Sequence, residues 1–357
     1  MSRRSITAVI IMTVLLGCSG GDETAGNSDA GVTIMTFNVE NLFDNVDDPG
    51  KADETYLAIE AKQAPAHIEA CNEIEVAAWR NLCLNLDWSD AAIDYKLRVV
   101  GEAILQVGDG RGPDIIAFQE VENAAILNRL RDEHLADAGY SPAILIEGQD
   151  LRGIDVGFLS RLPLVGEPRH HGIEFPDHPD RQDDTRGVLE ASFELPDGSV
   201  LTGFAVHFPA PFHPIEMREH AYRHLNELRN AVPDTHHVFA AGDFNTPKRE
   251  MEGTPILDDL VRPGWTIAHE LCAGCKGTNY WARGDSWSFL DTILFSPARG
   301  ENATWRIRAD SVRVANGSPG QVNADGTPRR FSDEPLGGVS DHWPLVMTLE
   351  PVKNKSL

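Results

Sequence analysis

Thr33-Ile34-Met35-Thr36-Phe37-Asn38-Val39-Glu40-Asn41-Leu42-Phe43 carries a strand-forming run that ends on polar side chains, and that junction decides how the rest of the chain reads. β-Branched and apolar residues suit a pleated, buried surface, so a strand is expected over 32–37, with Asn38 at its C-terminal end. The same grammar recurs. Glu120 follows Ile115-Ile116-Ala117-Phe118-Gln119, His207 follows the run 201–206, and Asp243 follows Val238-Phe239-Ala240-Ala241-Gly242. Asp291 in Trp287-Ser288-Phe289-Leu290-Asp291 and Asp341-His342 in Val339-Ser340-Asp341-His342-Trp343 extend the set. Each residue alone has an ordinary explanation, as turn chemistry, a solvated rim carboxylate or a hydrogen-bonded core histidine. Their joint order does not. Strand ends in α/β architectures open onto the loops that carry function, so separate strands can deliver all these groups to one rim.

Between these junctions the chain alternates short apolar runs with helical patterns and turn clusters, without an internal repeat. Helices are expected at 95–107, 123–138 and 215–231. Further strands are expected at 143–146, 154–160, 188–195, 200–208, 237–241, 288–295, 305–314 and 343–349, with a Pro196-Asp197-Gly198 hairpin turn. An acidic loop, 44–53, follows the first strand. The expected fold is α/β, a four-layer α-β-β-α sandwich of two packed mixed sheets with helices outside. It occupies 32–351, with a helical insertion at about 56–90, and 352–357 forms a C-terminal tail.

The ordered motifs Thr36-Phe37-Asn38-Val39-Glu40-Asn41-Leu42-Phe43, Phe118-Gln119-Glu120, Gly242-Asp243-Phe244-Asn245, Leu290-Asp291 and Ser340-Asp341-His342 resemble those of the endonuclease/exonuclease/phosphatase superfamily, over about 33–349. Phosphoester hydrolysis needs a hard cation at the nonbridging oxygens, a base for water and help for the leaving oxygen. Carboxylate and amide oxygens suit Mg²⁺, with Mn²⁺ or Ca²⁺ as alternatives. The resemblance implies that Glu120 holds the metal with Asn38 beside it and Asp341 helping, and that Asp291 orients His342. It implies that Asp243 or His342 takes the proton from water, that Asn245 contacts the phosphate, and that His207 protonates the leaving oxygen. Arg186, in Thr185-Arg186-Gly187-Val188, resembles a phosphate-contacting arginine. Arg152 and Asp155 are weaker candidates, readable equally as a structural salt bridge. Ala205 stands where many relatives carry Asn, and Pro209-Ala210-Pro211 follows His207 where several secreted nucleases carry lysines. His170, His171, His213, His236 and His237 have no clear metal spacing and read as surface or structural.

Arg3 and Arg4, an apolar run at 6–16 and Leu15-Leu16-Gly17-Cys18 are arranged as an export signal, with an end that resembles a bacterial lipobox. Residues 1–17 are expected to be a signal peptide and 18–31 a flexible tether, with Cys18 lipidated. The expected location is the cell envelope, outer membrane in a Gram-negative cell, or the secreted fraction. The formal charge of −24 becomes −26 when the leader's two arginines are lost, and such a surface repels polyanions at long range. Four cysteines follow Cys18; local pairing of Cys71 with Cys83 and of Cys272 with Cys275 is favoured in an oxidising compartment. The function expected is extracytoplasmic, metal-dependent hydrolysis of phosphodiesters by a monomer, with nucleic acid as the leading substrate. A phosphatase or sphingomyelinase-like phospholipase is the alternative, and a catalytically silent surface binding lipoprotein the second.

Overall fold

A computed structural model describes residues 31–352; the leader, Cys18, nearly all of the tether and most of the tail lie outside the described residues. The strands are β1 (Val32–Leu42), β2 (Ile115–Val121), β3 (Ile144–Leu145), β4 (Asp155–Ser160), β5 (Leu164–His171) and β6 (Val188–Glu194). They continue as β7 (Val200–His207), β8 (His237–Asp243), β9 (Thr266–Ile267), β10 (Asn279–Trp281), β11 (Ser286–Ser288) and β12 (Asp291–Ser296). Last come β13 (Trp305–Ile307), β14 (Arg313–Val314), β15 (Ser332–Asp333), β16 (Leu336–Gly337) and β17 (Leu345–Pro351). One sheet has the order β13-β17-β1-β2-β4-β3, with β14 also on β17, and the other has the order β5-β6-β7-β8-β12-β9. Each sheet has a parallel pair at its centre, β1 with β2 and β7 with β8, flanked by antiparallel strands.

Strand alternation builds three cores. Ile34, Ala117, Phe158, Phe239 and Ile293 pack between the sheets. Met35, Phe37, Ile116 and Phe118, on the opposite face of the first sheet, pack beneath α3 (Asp90–Leu105) and α4 (Ala124–His134). Val206, Val238 and Ala240 pack beneath α5 (Ile215–Ala231). The result is the four-layer α-β-β-α sandwich. Ahead of α3, α1 (Pro65–Glu73) and α2 (Ala77–Asn85) form the insertion, joined by the Cys71–Cys83 disulfide. Cys272 and Cys275 are also paired, each disulfide linking the partners expected from locality.

Several segments depart from expectation. The strand expected over 305–314 is two short strands separated by a 3-10 turn at Ala309–Ser311, where the chain follows the edge of β17 in two steps. The helix expected to reach 138 ends at His134 and continues as a 3-10 turn closed by Gly139 at φ 77°. The edge strand β5 and the β10–β11 hairpin were not anticipated. β5 contains Gly166 and Pro168 and is interrupted by a register shift between Val165 and Arg169, features that blunt a sheet edge and erase alternation.

Candidate active site

Between the sheets, the inward positions turn polar at one end. On β1 the sequence of inward residues runs Ile34, Thr36, Asn38, and Thr36 Oγ1 donates to Gln119 Oε1 of β2 at 3.1 Å, one step before the site. His207 and Asp243 are register partners at the ends of β7 and β8. β12 runs antiparallel to β8, so its first residue, Asp291, pairs with Asp243. β17 runs antiparallel to β1, so the segment preceding it reaches the same end, and Ser340 Oγ donates to Asn38 O at 2.8 Å. Topology therefore explains how residues scattered along the sequence meet.

Glu120 reaches the site by a backbone departure. Its φ is +63°, and the β2–β4 register shifts between Gln119 and Val121. A bulge of this kind re-aims a side chain that strict alternation would send to the other face. Glu40, Asn41 and Asn245 also have positive φ, at 54°, 60° and 48°. Non-glycine residues in this region cost energy and gather at functional sites. Here they cluster around one cleft.

Asn38 Nδ2 donates to Glu120 Oε1 and to Asp243 Oδ2, each at 3.2 Å, while Asn38 Oδ1 accepts the Glu40 N–H at 3.0 Å. An atom that receives a backbone N–H must be the oxygen, so Asn38 turns its nitrogen to the carboxylates. In this arrangement the Asn38 amide holds Glu120 and Asp243 in place. Asn41 N–H adds a donor to Glu120 Oε2 at 3.1 Å. His342 Nδ1 meets Asp291 Oδ2 at 2.6 Å, and the His342 backbone is tied to Ser340 Oγ at 3.0 Å. Burial alone would lower the His342 imidazole, but the charge and hydrogen bond of Asp291, with Asp341 and Asp243 nearby, hold it well above its ordinary value. Asp243 is pushed up to about 7 by burial and by the charge of Asp291. Asn245 N–H donates to Asp243 Oδ1 at 2.8 Å and its Nδ2 to Phe208 O at 3.1 Å.

His207 Nε2 lies 3.5 Å from Asp243 Oδ2 and 4.0 Å from Glu120 Oε1. Burial, with help from Arg186, Arg152 and His342, drives its imidazole well below the ordinary value. A neutral ring offers its N–H as a hydrogen-bond donor to a neighbouring oxygen. Arg186 is buried and held by Asp150 Oδ2 at 3.1 Å, while lining the same cavity as His207. Arg152 and Asp155 do not pair: Arg152 donates to Asn41 Oδ1 at 3.0 Å, and the buried Asp155 accepts the Gly148 N–H at 2.9 Å. His213, read from sequence as surface or structural, lines the cleft.

The cleft consists of two adjoining cavities of about 350 and 410 Å³ that share Trp79, Glu120, Arg152 and Phe212. The larger is floored by His207, Asp243, Asn245 and His342; the smaller is lined by Glu40, Tyr56, Arg330 and Asp341. Glu40 belongs to the first motif, and the resemblance implies no role for it. It follows Asn38 by two residues, a spacing that alternation could have flagged. Its carboxylate accepts Arg330 Nε at 2.7 Å and the Phe331 and Asp341 N–H groups at 3.0 and 2.9 Å. Burial and Asp341 push it up to about 7. The buried Lys96 of α3 donates to Glu40 O and Val339 O at 3.0 and 2.7 Å, tying the two segments together. The unanticipated β10–β11 hairpin does the same for the second sheet: Thr278 Oγ1 accepts the Asp291 N–H at 3.1 Å, and Asn279 Nδ2 donates to Asp341 O at 3.1 Å.

The donor set fits a hard divalent cation. Glu120 is partly exposed on the cleft floor, its oxygens receive only amide donors, and Asp341 lines the same cavity with its carboxylate partly exposed. Oxygen donors of this kind match Mg²⁺, Mn²⁺ or Ca²⁺ better than zinc.

The model of the Endonuclease/Exonuclease/phosphatase family matches residues 35–342. Among solved structures, an endonuclease/exonuclease/phosphatase family protein from Bacteroides thetaiotaomicron is similar at 17% identity and TM-score 0.55, over 90% of this chain and 98% of that one. The mannosyl-6-phosphatase of the same organism is similar at 17% identity and TM-score 0.54, over 89% and 99%. TDP2 of D. rerio, complexed with single strand DNA product, is similar at 17% identity and TM-score 0.51, over 90% and 100%. No curated protein matches.

Proposed function

The chain belongs to the endonuclease/exonuclease/phosphatase family, whose members are hydrolases of phosphoester bonds and are generally divalent-metal dependent, and on that premise we propose that it is an Mg²⁺-dependent phosphodiesterase acting on nucleic acid outside the cytoplasm. The observation that carries the reading is the cleft's composition: the polar floor lies beneath exposed Trp79 and Phe212, with Arg152 between the two cavities. Aromatic faces stack unpaired bases irrespective of sequence, and an arginine fork suits a neighbouring phosphate. The cleft thereby offers local recognition that the acidic whole does not.

Glu120 and Asp341 would hold the cation, which neutralises charge on the nonbridging oxygens when bound. Asn38 and Asn41 fix Glu120 through their N–H groups. Asp243, restrained by Asn38 and the Asn245 backbone, accepts the proton of the attacking water. His342, kept cationic by Asp291, donates toward the phosphate or its leaving oxygen. Water's oxygen then bonds to phosphorus, the ester P–O bond breaks, and the departing oxygen receives a proton. Neutral His207 and the second N–H of Asn245 donate to phosphate oxygens, while buried Arg186 orders the wall behind them. Lipidation at Cys18 would place this chemistry at the envelope, and the chain would act as a monomer.

A second reading, a small or membrane-borne phosphoester, is favoured by the net charge of −24, which opposes approach of a long polyanion. A panel of single-stranded DNA, RNA, plasmid, bis-p-nitrophenyl phosphate, p-nitrophenyl phosphate and sphingomyelin, each with Mg²⁺ and with EDTA, tests both. Cleavage of the single-stranded polymers and the diester is expected; cleavage of only the monoester or only sphingomyelin would overturn the nucleic-acid reading.

A further inference from the structure

The acidic loop after β1 contains carboxylates that the hydrolytic site does not use. Asp48 and Asp53 from this loop meet Glu122 from the end of β2, with one potential ligand oxygen from each residue, all within 4.8 Å of one another. Asp53 and Glu122 are only 2% and 3% exposed. Each has one oxygen occupied by the loop's own backbone: Asp53 Oδ2 accepts the Asp48 N–H at 3.0 Å, and Glu122 Oε2 accepts the Asp44 N–H at 2.7 Å. The other oxygens, Asp53 Oδ1 and Glu122 Oε1, are buried without a hydrogen-bond partner. Among the described residues, no lysine, arginine or histidine forms an ion pair with any of the three. The nearest loop lysine, Lys51, donates instead to Gly148 O and Asp150 O at 3.1 and 2.9 Å.

Two buried carboxylates with orphaned oxygens and no counter-charge are expensive unless a cation joins them. The geometry points to a Ca²⁺ site held by Asp48, Asp53 and Glu122, separate from the hydrolytic metal. Oxygens on one Ca²⁺ sit roughly 2.3–2.6 Å from the ion, so pairs of them reach about 5 Å apart, and Ca²⁺ accepts the irregular arrangement that a loop provides. Mg²⁺ demands a tighter octahedron and holds its water more firmly. The ion's consequence is positional: it fastens the segment that continues through Ala52, Thr55 and Tyr56, which line the smaller cavity, to the strand end that bears Glu120. Calcium therefore stabilises one wall of the cleft without touching the reacting phosphate.

The test uses the full mature chain stripped with EDTA, titrated with CaCl₂ alone and followed by calorimetry and thermal unfolding. A Glu120→Gln variant disables the hydrolytic metal site and is expected to retain one calcium-binding event and a Tm rise of roughly 3–6 °C at saturation. Asp53→Asn and Glu122→Gln preserve shape and the backbone hydrogen bonds; each is expected to weaken that event about tenfold or more and to remove the Tm rise. Because both remove a buried charge, their metal-free Tm is expected to equal or exceed that of the parent chain, which separates lost binding from lost folding. Loss of all calcium binding in Glu120→Gln overturns the site, as does parental calcium affinity in both loop variants. An equal Tm rise with MgCl₂ at the same concentration overturns the assignment to calcium.

Discussion

At the scale of single residues, the site works through pairs. Asp291 is buried beside Asp243 and His342, and its bond to Nδ1 fixes the imidazole's tautomer and charge. Asp291→Asn and His342→Ala should each lower kcat on bis-p-nitrophenyl phosphate about 100-fold or more, and the double variant should be little worse than either. Additive losses would show that the two act separately. Much of this set was legible in sequence because Asn38, Glu120, His207 and Asp243 follow apolar runs, Asp291 and Asp341-His342 stand next to others, and strand ends share a rim. Asn38's orientation was not, since only the Glu40 N–H decides which amide atom faces the carboxylates. Arg330, Trp79 and Phe212 come from loops or the insertion, where no periodicity marks them, and the Glu120 bulge has no local sequence signature.

At the scale of elements, the two sheets are joined by aromatic packing at one end and the polar cleft at the other. Phe158 of β4 packs edge-on against Phe193 and Phe239 of the facing sheet, with ring centroids 5.7 and 6.1 Å away. Phe158→Ala should cost about 3–5 kcal/mol in denaturant unfolding, as the cavity lies where both sheets meet. A loss below 1 kcal/mol would mean the inter-sheet core is not continuous there. A pH effect belongs to β8: buried His237 accepts the Ala298 N–H at Nδ1, 3.1 Å away, and burial lowers its imidazole to about 4. Because the folded value lies below the ordinary 6.5, this stability is present above pH 6.5 and is lost as pH falls toward 4. His237→Gln should flatten the fall in Tm between those values; an unchanged slope would exclude His237 as its source. The central strands were readable as short apolar runs, as suits strands buried on both faces. β5 was not, because edge strands face water and carry the residues that discourage pairing.

At the scale of the whole molecule, an acidic protein would have to bring the proposed polyanionic substrate to a cleft where Arg152, Arg181, Arg186 and Arg330 stand among carboxylates. Its repulsion is screened by salt, so kcat/KM for single-stranded DNA should rise between about 20 and 150 mM ionic strength, and a steady fall would signal a cationic track. The proposed chemistry depends on Glu120 anchoring a hard cation beside Asp243 and His342. It is tested most directly by measuring bis-p-nitrophenyl phosphate hydrolysis in the EDTA-stripped chain as Mg²⁺ is restored, with Glu120→Gln in parallel. Saturable recovery in the parent chain and none in the variant is the predicted result. Turnover that persists in EDTA, or a variant that recovers alongside the parent, would contradict it.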